Sequence, residues 1–268
     1  MSVATALSIA GSDPSGGAGI QADLKAFSAR GVYGMAAITA LTAQNTQGVT
    51  GVIAVPPDFV AEQIRAVLED IRVDAVKIGM IANAEIAGAV AEALSGYHGA
   101  VVLDPVMIAK GGHALLSEDA VSTLRDRLLP RATLLTPNLP EAAALLGAEP
   151  AATRSAMQEQ AMALLGLGPG AVFLKGGHLS SGQSPDLLVA GTRSLWFEGD
   201  RIETKNTHGT GCSISSAIAA ELAKGLPLAG AVEAAKAWLG GAIAAADSLE
   251  IGHGHGPTHH FHALWPKA

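Results

Sequence analysis

Short apolar runs alternate with amphipathic stretches along almost the whole chain, and most of the runs lack a polar residue at every second position. Such runs stand at Ala6–Ala10, Ala36–Leu41, Val52–Val55, Ala75–Ile78, Ala100–Asp104, Thr133–Thr136 and Ala171–Lys175. A strand with one wet face alternates apolar and polar side chains, whereas a strand covered on both faces does not. Between the runs, Asp58–Ile71 places Val60, Ile64, Val67, Leu68 and Ile71 on one helical face and Glu62, Arg65, Glu69 and Asp70 on the other. The alternation predicts an α/β fold, a mostly parallel central sheet with helices on both faces. Pro185–Thr204 differs, with three short strand-like pieces and turn signals at Ala190-Gly191-Thr192 and Glu198-Gly199-Asp200, so antiparallel hairpins are expected there. Two long helices follow, near Gly211–Lys224 and Leu228–Ser248. No linker, repeat or low-complexity segment divides the chain before its His-rich tail, and residues 1–268 read as a single domain.

Composition narrows the function. Hydrophobic residues form 49% of the chain, enough for a sizeable core, and the aromatic share is only 4%. The net charge of −7, without any block of Lys or Arg, disfavours a nucleic-acid partner, which requires a basic surface. The most apolar late segment, Leu226–Leu249, is interrupted by Glu233, Lys236 and Asp247, so it reads as a soluble helix and no membrane partner is expected. A single cysteine, Cys212, excludes an internal disulfide and suits a reducing compartment. The first residues lack a basic segment followed by a long apolar one, so no signal peptide is expected and a cytoplasmic location is.

Ligands of open parallel sheets bind beyond the carboxyl ends of the strands. After the first strand comes Gly11-Ser12-Asp13-Pro14-Ser15-Gly16-Gly17-Ala18-Gly19, which has neither dinucleotide spacing nor the lysine of a P-loop. It reads either as a tight mobile turn or as a glycine loop closing over a ligand. Asn206-Thr207-His208-Gly209-Thr210-Gly211-Cys212-Ser213 opens a long helix. Small residues at a helix start expose N–H groups and the positive end of the dipole, a site for an anion such as a transferring phosphoryl group. A plain glycine-rich helix entry would look the same. Cys212 at that terminus is expected to carry a lowered pKa, although a small buried hydrophobe is the simpler reading. Asn138-Leu139-Pro140-Glu141 is a capping-box pattern, and alternatively an amide and a carboxylate that hold Mg²⁺ through water. Asp104-Pro105 and Lys175-Gly176-Gly177-His178 also lie at or just after strand ends.

Taken in order, these segments resemble the hydroxymethylpyrimidine/phosphomethylpyrimidine kinases of the ribokinase-like superfamily. The resemblance runs from near Ala6 to Trp265. It rests on Ile9–Asp23, Thr39-Ala40-Leu41-Thr42-Ala43-Gln44-Asn45-Thr46, Lys77-Ile78-Gly79-Met80, Leu103-Asp104-Pro105-Val106-Met107, Thr136–Glu141, Lys175–His178 and Thr207–Cys212. It implies a ribokinase-like fold and phosphorylation, by ATP with Mg²⁺, of 4-amino-5-hydroxymethyl-2-methylpyrimidine and then of its monophosphate. It also implies a homodimer. Gln44 would hydrogen-bond the pyrimidine edge, for which a carboxamide offers both donor and acceptor. Met80 would lie on the ring face, with Asp23 and Gly11 on the substrate side. Cys212 would deprotonate or orient the substrate hydroxyl, where many sugar kinases of the superfamily carry Asp. The N–H groups of Gly209, Thr210 and Gly211 would bind the transferring phosphoryl. Lys175 would approach the ATP phosphates, Asn138 and Glu141 would surround Mg²⁺, and Asp104 would support that region.

The tail, Gly252-His253-Gly254-His255-Gly256-Pro257 with His259, His260 and His262, has the composition of a metal tract. The resemblance accounts for it more simply, because the family often ends this way, and no metal is assigned there. Two other readings stay open. One is a pyridoxal kinase, which uses a similar cysteine; the other is a non-catalytic ligand-binding protein on the same fold.

Overall fold

The computed structural model describes residues 3–107, 118–179 and 183–265. Six parallel strands form its centre: β1 (Thr5–Ala10), β2 (Tyr33–Ile38), β5 (Ala75–Ile78), β6 (Ala100–Leu103), β7 (Leu134–Leu135) and β8 (Val172–Leu174). The hairpin of β9 (Asp186–Ala190) and β10 (Arg193–Phe197) extends this sheet antiparallel to β8, giving the order β10-β9-β8-β7-β6-β5-β1-β2. A separate two-stranded sheet, β3 (Ala40–Asn45) and β4 (Gly48–Ala54), stands beside it.

Side chains along each central strand point alternately into two helical layers. Leu7, Ile9, Val76, Ile78, Val101, Leu103, Leu135, Val172 and Leu174 enter the layer of α2 (Pro57–Asp70), α3 (Ala84–Ala93), α5 (Leu139–Leu146) and α6 (Arg154–Leu165). Ala6, Ala75, Val102, Leu134 and Phe173 meet α1 (Gly19–Ala29), α7 (Thr210–Ala223) and α8 (Leu228–Ala244). This second layer is rich in alanine, which lets helix backbones approach the sheet closely. A short helix, α4 (Glu118–Thr123), continues through a π turn and a 3₁₀ turn to Arg131. Fully burying each branched side chain contributes about 1.5–3 kcal/mol before conformational entropy is subtracted.

Three expectations are corrected. The run Ala36–Leu41 is divided at Thr39, whose hydroxyl donates to the Met80 carbonyl oxygen at 2.6 Å, and the chain then leaves the main sheet to pair with β4. Polar Thr42, Gln44 and Asn45 hid that pairing from a search for apolar runs, although the Asn45 side chain marks the turn by accepting from Gln47 N and Gly48 N. Within 185–204 there are two strands, and the third piece contributes an isolated pairing of Asp200 with Gln183. The last long helix stops at Ala244, with Ala246–Leu249 as a 3₁₀ turn.

Candidate active site

Five of the parallel strands deliver the expected residues to one edge. Gly11 follows β1, Met80 follows β5, Asp104 follows β6, Asn138 and Glu141 follow β7, and Lys175 follows β8. The start of α7 lies against this edge. Gly209 is its N-cap in the left-handed conformation (φ 74°), and no side chain caps the first turn. The leading N–H groups of a helix have no intrahelical acceptors, so this start is suited to an anion, although Thr210 N already donates to the Thr207 carbonyl at 3.4 Å. A methyl group added to Gly209 would lie 1.8 Å from the Gly17 carbonyl oxygen. Gly209→Ala is therefore expected to separate loop 11–19 from the helix start and reduce turnover at least about a hundredfold. A turnover assay on variant protein with unchanged circular dichroism checks this.

Lys175 and Asp104 stand beside this helix start. Lys175 Nζ is 3.0 Å from Asp104 Oδ1, and Thr136 and Ser215 hydroxyls donate to the two Asp104 oxygens at 3.3 Å each. A Cβ on Gly211 would lie 3.4 Å from Lys175 Nζ and 3.8 Å from Asp104 Oδ2, so ammonium and helix start face one space. Burial lowers the Lys175 pKa, but Asp104 and Glu141 outweigh it and hold the ammonium above its usual range.

Asn138 and Glu141 do form the capping box of α5. Asn138 Oδ1 accepts from Glu141 N, and Glu141 Oε2 accepts from Asn138 N, both at 2.8 Å. Glu141 Oε1 takes no part in this cap. Burial pushes the Glu141 carboxyl up to about 7, with Lys175 opposing the shift and Asp104 adding to it. Among the described residues no three His, Cys, Asp or Glu side chains converge into a metal cage. The donor set fits an ion that keeps most of its waters and leans on one carboxylate and on substrate phosphates, as magnesium does.

On the substrate side, Met80 Sδ would lie 3.0 Å from a Cβ on Gly11, so the thioether and the glycine loop are in contact range. Gln44 Nε2 lies 3.4 Å from His208 Nε2, and the same His208 nitrogen is 2.7 Å from Asp13 Oδ2. Asp13 also accepts from Ser15 and Ala18. Burial raises the Asp13 pKa, but His208 and Ser15 bring it down to about 2. Asp13 and His208 thus tie loop 11–19 to the helix start and to Gln44. Sequence reading assigned neither a role, although both stand inside the segments it singled out.

Two expectations about this region are corrected. Asp23 is not exposed to a substrate. It is fully buried, 2.9 Å from an equally buried Lys77 Nζ, and accepts from Ser8 and Ser216 hydroxyls at 2.6 and 2.7 Å. Lys77 had a visible signal, a charge inside a strand expected to be covered on both faces. Nor is the Cys212 pKa lowered. Removal of the sulfur from water pushes the thiol up to about 11, a rise that Lys77 and the Gly19 N–H reduce while Asp23 and Asp104 add to it.

The tail braces the site from behind. Gly254 N and His255 N donate to Thr46 at the β3–β4 turn, His208 N donates to the Gly256 carbonyl, and His260 Nε2 lies 2.9 Å from Ser213 Oγ. Burial lowers the His260 pKa from 6.5 to about 4, with Lys25 adding to the effect. Between those two values the unfolded chain binds more protons, so stability falls as pH drops from 6.5 towards 4. The loss is expected to be on the order of 3 kcal/mol, and His260→Gln is expected to flatten it in denaturant titrations at several pH values.

Comparison with known proteins shows the family. The phosphomethylpyrimidine kinase family model matches residues 13–259. A hydroxymethylpyrimidine/phosphomethylpyrimidine kinase of Escherichia coli (strain K12) is 57% identical over 97% of this chain and 98% of its own. Among solved structures, an ADP complex of Bacillus subtilis pyridoxal kinase superposes with a TM-score of 0.89 at 37% identity, covering 98% of this chain and 99% of that one. A phosphomethylpyrimidine kinase from Clostridium difficile 630 gives 0.79 at 43% identity over 88% and 97%.

Proposed function

The chain belongs to the phosphomethylpyrimidine kinase family, and from that premise we propose how its residues carry out the kinase reaction of thiamine biosynthesis. The substrate is 4-amino-5-hydroxymethyl-2-methylpyrimidine, and its monophosphate is the second acceptor. ATP is the phosphoryl donor. The observation that carries this reading is the uncapped start of α7 facing the Lys175 ammonium across Gly211.

Gln44 pairs with the amino group and ring nitrogen of the pyrimidine, and Met80 covers its face. The hydroxymethyl oxygen attacks the γ-phosphorus. Its new O–P bond forms as the bond from that phosphorus to the β–γ bridging oxygen breaks, and ADP leaves. N–H groups of Gly209, Thr210 and Gly211 bind the charge spread over the transferring oxygens, where preorganised donors are most effective. Lys175, anchored by Asp104, binds the donor's phosphates. Asn138 and Glu141 would hold magnesium through water, and the ion when bound offsets phosphate charge. Cys212 orients the hydroxyl, and its thiolate form accepts the proton. At neutral pH the thiolate is the minor form, with the thiol pushed up to about 11. A loose phosphoryl-transfer transition state asks little of a base early in the reaction, so a scarce thiolate is compatible with it.

The enzyme acts as a homodimer in the cytoplasm. A reducing compartment suits its lone cysteine. The exposed apolar side chains of the β3–β4 hairpin, Leu41, Val52 and Ile53, are the surface suited to a second copy.

Incubation of purified protein with ATP, Mg²⁺ and the hydroxymethylpyrimidine, with products identified by mass, tests the reading. Mono- and diphosphate products are expected, and absence of both overturns it. Similarity to a pyridoxal kinase at 37% identity keeps pyridoxal as the rival substrate. A kcat/KM that strongly favours pyridoxal would reverse the substrate assignment.

A further inference from the structure

Lys77 and Asp23 form a fully buried ion pair that the proposed chemistry leaves without a task. As a stabilising device it is a poor choice. Removing two charges from water costs several kcal/mol each, and well-packed apolar side chains often do as well or better. Its position is more informative. α1 packs on α7, and each helix presents two residues four apart on the facing side. Gly19 N–H faces the Cys212 sulfur, and one turn further along each helix Asp23 accepts from the Ser216 hydroxyl at 2.7 Å. Lys77 rises from β5 beneath this ladder, with Nζ 2.9 Å from both Asp23 oxygens. A Cβ on Gly79 would lie 2.6 Å from Lys77 Nζ, which places the ammonium under the strand end that carries Met80.

We propose that Lys77 is a positioning residue for the reaction, a cation locked between α1 and α7 by Asp23 so that it faces Cys212 and favours the sulfur as proton acceptor. The proposal rests on the reading that Cys212 meets the substrate hydroxyl. The charged groups acting on the sulfur include Lys77 from β5, Asp23 from α1 and Asp104 from the end of β6, and Lys175 beyond β8 interacts with it as well. The two lysines oppose the two carboxylates. Burial alone would lower the lysine's own pKa, but Asp23 outweighs it, with Cys212 and Asp104 adding, and keeps the ammonium charged well above the usual range. Asp23 therefore does two things of opposite sign. It keeps Lys77 protonated, and it repels the thiolate directly, less than Lys77 attracts it.

The chain has one cysteine, so alkylation by iodoacetamide reports on Cys212 alone. Its second-order rate is measured against pH for the native enzyme, for Lys77→Met, and for Lys77→Met/Asp23→Asn, with circular dichroism and a cooperative thermal transition as the check of folding. The midpoint of the alkylation profile is expected to rise in both variants, lowering the rate at pH 8 about tenfold for each unit of rise. The pH profile of kcat/KM is expected to move with it. The double variant removes both charges together and carries the test if Lys77→Met does not fold. An alkylation profile identical to the native one in either folded variant overturns the assignment of Lys77. Retained turnover in Cys212→Ala overturns instead the base role on which it rests.

Discussion

Cys212→Ala is expected to lower kcat by about 10²–10⁴-fold while leaving KM for the pyrimidine near its native value, the range associated with loss of a positioned acid or base. The split follows from position. Cys212 sits in the first turn of α7, beside the N–H groups assigned to the transferring phosphoryl, whereas Gln44 and Met80 are assigned to the ring. A side chain that acts on the reacting oxygen alone stabilises the transition state more than the bound substrate, so its loss appears in kcat. Steady-state kinetics with saturating ATP make the measurement. Turnover near the native rate would remove the thiol from the reaction and leave the helix N–H groups and Lys175 to account for the rate.

A second large effect is expected in stability. Asp23→Ala leaves the Lys77 ammonium fully buried without its carboxylate partner and deprives the Ser8 and Ser216 hydroxyls of their acceptor. Breaking one side of a buried ion pair costs about 3–5 kcal/mol. Lys77→Met/Asp23→Leu, which replaces both charges by apolar side chains, is expected to recover most of that loss. Chemical denaturation of the two variants and the native protein provides the comparison. Equal stability of Asp23→Ala and the native protein would mean that Lys77 is solvated by another route.

The Gly209–Cys212 helix start, Lys175, Asp104 and the Asn138–Glu141 pair were legible in the sequence because each follows an apolar run or opens an apolar helix. Such positions survive without knowledge of long-range contacts. Asp23 was misread for the opposite reason. Its motif placed it near a substrate loop, but α1 turns its side chain inward, and its partners Lys77 and Ser216 are 54 and 193 residues away in sequence. The Asp13–His208 link, across 195 residues, was hidden in the same way.

By itself, the sequence determined the layered parallel architecture, the edge of the sheet where the candidate site residues gather and the presence of a thiol at a helix start. Those properties follow from local periodicity and from the chain's own punctuation by glycine and proline. Tertiary structure decided the state of that thiol. A helix N-terminus alone argues for a lowered pKa, yet packing of α7 against α1 and the sheet partly buries the cysteine and sets Asp23 and Asp104 as well as Lys77 around it. Desolvation and the balance of distant charges are sums over the folded molecule, and no short segment of sequence contains them.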